Sequence, residues 1–160
     1  FPNLKYVIIG KRYKDDYYNR LKLAVRDLKL DGKIVILDNI DDESEIIKLY
    51  KIAELFCLMS QTAGHDLEGF GIVFLEAAAA GLPVVGTSDS GTEDAVSDGK
   101  NGILIDDPRD SRQFANAIIK ILSDGNLKKS MSQNSLEWVQ KFSWQSKIAE
   151  YKKIYESLFN

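Results

Sequence analysis

Apolar residues along this chain occur first as short unbroken runs and later as helical stripes. Leu4 to Ile9, Ile34 to Leu37, Leu55 to Met59, Val84 to Gly86 and Ile103 to Ile105 have strand length and are bounded by Gly, Asp, Ser or Pro. Between the first three runs the spacing turns helical, through Tyr17, Leu21, Ala24, Val25 and Leu28 and again through Ile46, Leu49, Tyr50 and Ala53. Asp15 and Asp16 suit a first helical turn, and Asp41, Asp42 and Ser44 are candidate caps for the second helix. Asp31-Gly32 is the turn between the first helix and the second strand.

The stretch Glu68 to Thr87 follows the third run. Glu68-Gly69-Phe70-Gly71 reads as a glycine-flanked loop, and Ile72 to Ala80 is so apolar that its helix is expected to be packed nearly all round. Gly81 and Pro83 end that helix before the fourth strand. Its one charged residue is Glu76. A carboxylate there is costly unless exposed or paired, so Glu76 is the first residue to raise a functional question.

Thr92 is a candidate cap for a short helix through Val96, and Asp98-Gly99-Lys100-Asn101-Gly102 is a turn before the fifth strand. Beyond Asp106 the pattern is helical to the end. Ser111 to Ser123 places Phe114, Ala115, Ile118, Ile121 and Leu122 inward, and a second helix starts near Asn126. Ser143 caps the last, where Trp144, Ile148, Tyr151, Tyr155 and Leu158 form one apolar stripe.

Continuous apolar strands alternating with helices imply a parallel sheet covered on both faces, an α/β class. Ligands of such sheets sit at the carboxyl ends of the strands. The loops after Gly10, Leu37, Met59 and Gly86 are therefore the expected rim of a site.

Composition narrows the function. At 160 residues, 44% hydrophobic and 28% charged, the chain matches a soluble globular domain. A net charge of -3 argues against nucleic acid as a partner. Cys57 is the only cysteine, so an internal disulfide is impossible and a reduced, cytoplasmic setting is the expectation. No segment has the pattern of a membrane span or a signal peptide. The start at Phe1 rather than Met hints at a fragment or a processed product.

The loop from Gly69 to Gly71 has chemistry of its own. It leads into a helix N-terminus, where free amides and the helix dipole suit an anion such as a pyrophosphate, and glycines admit a ligand close to the backbone. Glu76 lies about 7 Å farther along the axis, at a distance that suits the hydroxyl groups of a sugar next to a bound phosphate. The plainer reading is that the glycines serve the turn and Glu76 snorkels or pairs with a lysine.

The residues resemble a known family. Glu68 and Glu76, enclosing Gly-Phe-Gly, resemble the Glu-x7-Glu motif of retaining, nucleotide-sugar-dependent glycosyltransferases with the two-domain GT-B fold, the group that includes glycogen and sucrose synthases and bacterial mannosyl- and glucosyltransferases. Ala53 to Ser60 resembles the strand and serine before that motif. Glu76-Ala77 with Ala80-Gly81-Leu82-Pro83-Val84-Val85 resembles the Glu-Ala and Gly-x-Pro-Val segment after it. Ser90-Gly91-Thr92-Glu93, Asn101-Gly102 and Phe142-Ser143-Trp144 are similar to later landmarks.

The resemblance implies a Rossmann-like parallel sheet with helices on both faces, the C-terminal domain of a GT-B fold, ending in several helices. It implies a single nucleotide-sugar-binding domain over residues 1–160, with the first strand of that domain and the N-terminal acceptor domain lying outside the chain. It implies transfer of a sugar from a nucleotide diphosphate to an acceptor hydroxyl with retention. A carboxylate nucleophile is one route and a same-face encounter of leaving phosphate and acceptor another, the second preferred.

Roles follow by the same resemblance. Glu76 would bind the donor ribose, and Glu68 would face the transferred sugar as the catalytic carboxylate. The amides of Phe70, Gly71 and Ile72 beside Gly69 would hold diphosphate or sugar oxygens. The Ser60 loop would lie near phosphate, the Asp38 to Ile40 loop near the base, Gly91 in the following glycine turn, and His65 in contact with donor or acceptor.

No cofactor and no metal are expected, since Asp41-Asp42 and Asp106-Asp107 read as caps and turns. Partners so implied are a nucleotide sugar and a glycan, lipid or small-molecule acceptor held mainly by the absent domain, which is also where peripheral membrane contact would lie. Ser90 replaces the usual first glycine of its turn, and the family's upstream Arg and Lys pair has no counterpart; as a partial C-terminal domain without the acceptor domain, the fragment alone is expected to be inactive. Lys11 and Arg12 read as solvated and Cys57 as a small core residue. A non-catalytic nucleotide-binding or interaction domain of the same ancestry is the alternative. A dinucleotide-binding dehydrogenase is disfavoured, because no G-x-G-x-x-G follows the first strand.

Overall fold

Strand and helix alternate through the first two thirds of the chain, as the run lengths require. In a computed structural model that describes residues 1–12, 15–61, 69–88 and 91–159, the order is β1 (Tyr6–Ile9), α1 (Asp15–Asp27), β2 (Ile34–Leu37), α2 (Glu43–Ile52), β3 (Phe56–Cys57) and α3 (Ile72–Ala79). There follow β4 (Val84–Thr87), α4 (Thr92–Ala95), β5 (Gly102–Ile105), α5 (Ser111–Ser123), α6 (Gly125–Val139), a 3-10 turn at Gln140–Phe142 and α7 (Trp144–Ser157). The chain divides into two units, Phe1–Lys48 and Leu49–Asn160.

In the first unit β1 and β2 pair in parallel, Tyr6 opposite Ile34 through Ile9 opposite Leu37. Gly32 turns the chain between α1 and β2 in a left-handed conformation. Asp42 stands just before α2 and accepts bonds from the amide and the hydroxyl of Ser44, at 2.8 and 2.7 Å. Those bonds, the hydroxyl's first, hold the Asp42 carboxyl below its usual range. The expectation of a buried first strand is corrected: Tyr6, Val7 and Ile9 are exposed, and α1 buries no residue. A sheet of two strands has too little area to cover such side chains.

The second unit holds a parallel sheet in the order β3-β4-β5. Its faces are separated by the strand period. Val84 packs with Phe74, Ala77, Ala95 and Val96, whereas Val85 packs with Ile105, Ala117, Ile121 and Met131. Helices therefore cover both faces, α3 and α4 on one and α5 and α6 on the other. Fully burying a Val, Leu, Ile, Phe or Met side chain is worth about 1.5–3 kcal/mol, and both clusters contain several such residues.

Caps fix the helical half. Asp110 accepts the amides of Arg112 and Gln113 at the start of α5, Asp124 those of Asn126 and Leu127 at the start of α6, and Ser143 that of Ser146 in α7. Three expectations change here. Ala117, not Ala115, turns inward on α5. Gly91, rather than Thr92, precedes the first turn of α4, and Thr92 is itself buried. α3 is not packed all round, because Ile72, Glu76 and Ala79 recur at i, i+4 and i+7 along one exposed face. The α7 stripe is likewise exposed, Trp144 at 81%.

Candidate functional site

The site is built where β3 and β4 end. The β3–β4 ladder continues one residue beyond β3, Leu58 donating its amide to the Val85 carbonyl at 3.0 Å. The Thr87 hydroxyl, fully buried, donates to the Ser60 carbonyl at 2.8 Å. That bond ties together the two loops that leave the carboxyl ends of neighbouring strands.

Between Ser60 and α3 the described chain resumes at Gly69. Gly71 ends the loop in the left-handed region, φ 75° and ψ 48°, and serves as the N-cap of α3. An N-cap without a side chain cannot bond the first-turn amides in the way Ser or Asp would. The Gly71 carbonyl instead receives the Phe74 amide at 2.9 Å. The start of α3 thus presents backbone donors and the positive end of its dipole.

A cleft of about 490 Å³ opens there, lined by Leu58, Gly69, Phe70, Gly71, Ile72 and Val73. None of these side chains is charged. Among the described residues, an anion in the cleft meets amides rather than a lysine or arginine of its lining.

The loop is braced on two sides. On one, the Phe70 ring lies 5.6 Å from that of Phe142, and Phe142 lies 5.7 Å from Trp138, whose indole N–H donates to the Ala95 carbonyl at 2.9 Å. On the other, Gly91 sits against the loop so closely that a Cβ would be 2.6 Å from the Gly69 carbonyl carbon and 2.9 Å from the Phe70 Cα. Phe74 underlies Gly71 and meets Phe56 edge-on at 5.2 Å and 88°.

Glu76 stands one turn into α3, exposed to solvent. Its carboxylate accepts a bond from the Tyr50 hydroxyl, Oη to Oε2 at 3.3 Å. Among the described residues no lysine or arginine pairs with it. Burial first, then the Glu76 charge and the bond to it, push the Tyr50 phenol up to about 12.

The residues singled out from the sequence therefore have different places. Gly69, Phe70, Gly71 and Ile72 come together at the cleft, Gly91 supports their loop from behind, and Ser60 is tied to β4 by Thr87. The Phe70 side chain packs on Phe142, and Phe70 lines the cleft. Ile40 follows β2 in the first unit, half-buried. Glu68 and His65 lie outside the described residues. Among the described residues there is no group of three His, Cys, Asp or Glu suited to a metal ion, and no helix long and apolar enough to cross a membrane. Tyr50 was legible only as a core position of α2; a tyrosine on a core face carries a hydroxyl that needs a partner, and that was the available clue.

Residues 1–138 match the family described as glycosyl transferases group 1. The chain belongs to that family. Among its relatives is the D-inositol 3-phosphate glycosyltransferase of Corynebacterium jeikeium, 35% identical over 141 residues, which are 87% of this chain and 32% of that protein. HepE of Anabaena, solved in complex with UDP, superposes with a TM-score of 0.82 at 25% identity over 99% of this chain and 41% of its own. The C-terminal domain of the group 1 protein LpcC from Francisella tularensis superposes with a TM-score of 0.77 at 28% identity, over 88% of this chain and 70% of that one. The chain thus spans 32% of the Corynebacterium protein's length. Its fold is that of the C-terminal domains of GT-B glycosyltransferases, Rossmann-like and parallel.

Proposed function

We propose that this group 1 chain is the donor-binding part of a retaining glycosyltransferase, which takes a sugar from a nucleotide diphosphate sugar to an acceptor hydroxyl. The observation that supports it most is the pairing of a glycine-capped helix start with an exposed carboxylate one turn farther along the same helix. The diphosphate lies at the amides of Phe70, Gly71 and Ile72, and the ribose lies at Glu76, which accepts hydrogen bonds from two hydroxyls. Glu68 faces the transferred sugar and supports positive charge near its anomeric carbon. The UDP held by HepE is consistent with a nucleoside diphosphate as the common element. The acceptor, a glycan, a lipid or a small molecule, is held by an N-terminal domain beyond this chain, and the reaction needs no metal at the donor.

The chemistry asked of these residues is modest. Amides at a helix start stabilise charge on the departing diphosphate in an environment where they need no reorganisation. With acceptor and leaving phosphate on one face of the sugar, the acceptor proton passes to the phosphate oxygen and no protein nucleophile is required.

Calorimetric titration with UDP, GDP and ADP tests the reading. Glu76→Ala is expected to weaken the preferred nucleotide by about 1.5–3 kcal/mol, the weight of hydrogen bonds to a charged acceptor. Equal affinity in the variant would remove Glu76 from the ribose site.

A further inference from the structure

We propose that Tyr50 is the positioning residue of the ribose carboxylate: its hydroxyl anchors one oxygen of Glu76 so that the other is held out to the ribose hydroxyls. The proposal rests on the reading of Glu76 given above and concerns how that carboxylate is held.

Tyr50 lies in the last turn of α2, half-buried, with its ring edge-on to Phe56 at 5.9 Å and 62°. Phe56 is in turn edge-on to Phe74 at 5.2 Å, beneath the start of α3. Three rings from α2, β3 and α3 therefore fix where the phenol oxygen stands. It stands 3.3 Å from Glu76 Oε2.

A glutamate on the open face of a helix is otherwise free to turn through its rotamers, and ordering it on binding opposes affinity. One anchor removes part of that freedom beforehand. An ionised carboxylate offers about four lone-pair sites, so a bond at Oε2 leaves Oε1 and the rest of Oε2 for a pair of hydroxyls. The chemistry of the anchor also matters. A lysine would form an ion pair and draw the carboxylate's charge toward itself, whereas a neutral phenol leaves the full negative charge to strengthen bonds from the ribose. Tyr50 keeps its proton throughout the physiological range, so it remains a donor.

A purely structural Tyr50 would fill space against Phe56 and be indifferent to the nucleotide's sugar. The experiment uses that difference. UDP, GDP and ADP, and the 2′-deoxy form of whichever binds tightest, are titrated into the chain and into Tyr50→Phe, Glu76→Ala and Glu76→Gln. Tyr50→Phe keeps the ring and its packing, and circular dichroism confirms the fold of each variant.

Tyr50→Phe is expected to weaken the ribonucleotide about 2- to 12-fold, the range for one hydrogen bond, and to weaken the 2′-deoxy nucleotide, which keeps only the 3′-hydroxyl for Glu76, by a smaller factor. In a Glu76→Gln background the same substitution should cost less than it does in the parent chain. An equal loss on both nucleotides, or no loss on either, overturns the assignment of Tyr50 while a ribose-dependent loss in Glu76→Ala leaves the Glu76 reading standing. A Glu76→Ala loss that is the same with and without the 2′-hydroxyl, or the absence of nucleotide binding by the parent chain, overturns both.

Discussion

Gly91 lies against Gly69 with no room for a side chain between them: a Cβ on Gly91 would be 2.6 Å from the Gly69 carbonyl carbon, and Phe70 Cα would be 2.9 Å away. Both neighbours are backbone, which cannot swing aside as a side-chain tip can. The Gly91 φ of -60° suits any residue, so sterics alone require glycine here. Gly91→Ala is therefore expected to displace the Gly69-Phe70 loop and to lower stability by about 1–3 kcal/mol, the usual range for overpacking. Nucleotide binding should fall along with it. Urea unfolding and calorimetry on the same sample would check both, and a variant that is stable but still binds fully would show that the loop yields without consequence.

Gly69 and Gly71 separate two requirements that the sequence leaves merged. Among the described residues a Cβ on Gly69 meets nothing within 4 Å, whereas Gly71 combines φ +75° with a Cβ 2.9 Å from the Phe74 ring. Gly71→Ala should cost about 1–2 kcal/mol for the left-handed conformation, with the ring contact adding to it. Gly69→Ala should be nearly neutral in stability. If Gly69→Ala nevertheless weakens UDP, GDP or ADP, the need for glycine there comes from the ligand's approach, and thermal unfolding beside titration distinguishes the cases.

Much of the fold was legible because strand and helix periods differ and each buried strand in the second unit is a continuous apolar run. Val84 and Val85 show why the helices cover both faces: successive residues of one strand enter opposite clusters. What was not legible depends on contacts made far along the chain. In Ile72 to Ala80 only Glu76 signals that one side of the helix is open, since the apolar Ile72 and Ala79 share that exposed face. Tyr6, Val7 and Ile9 read as buried because an apolar run specifies a strand without specifying its neighbours. At the site, Gly71 and Glu76 could be found by motif, but Tyr50 and Phe142 act across 26 and 72 positions, and pattern over a local window does not see such separations.

Phe142 is the residue through which the helical end reaches the loop. Its ring touches Phe70 on one side and Trp138 on the other, and the Lys147 amine lies 5.5 Å from its centroid. The ring is half-buried, so Phe142→Ala should cost less than the roughly 3–5 kcal/mol of a fully buried phenylalanine, about 1–2 kcal/mol. Phe142→Tyr should retain most of that stability. If Phe142→Ala also loosens Phe70, amide hydrogen exchange at Phe70 and Gly71 should quicken relative to that at β4, and unchanged exchange would confine the effect to the helical end.

Tyr50 and Glu76 make the stability of the second unit depend on alkali in a calculable direction. The phenol is pushed from 10.0 to about 12, by burial first and then by the neighbouring carboxylate and the hydrogen bond to it. The folded state thus binds the phenol proton more tightly than the unfolded chain, and the stability this contributes is complete below about pH 10 and disappears as the pH rises through about 12. Because Tyr50→Phe has no such proton, the stability difference between the parent and this variant should be level below about pH 10 and decline between about 10 and 12. Glu76→Gln removes the charge but not the burial. It should therefore narrow the window without abolishing it. Urea unfolding at a series of pH values measures the slope directly; a level difference through pH 12 would mean that the phenol ionises no less readily in the folded chain than in the unfolded one.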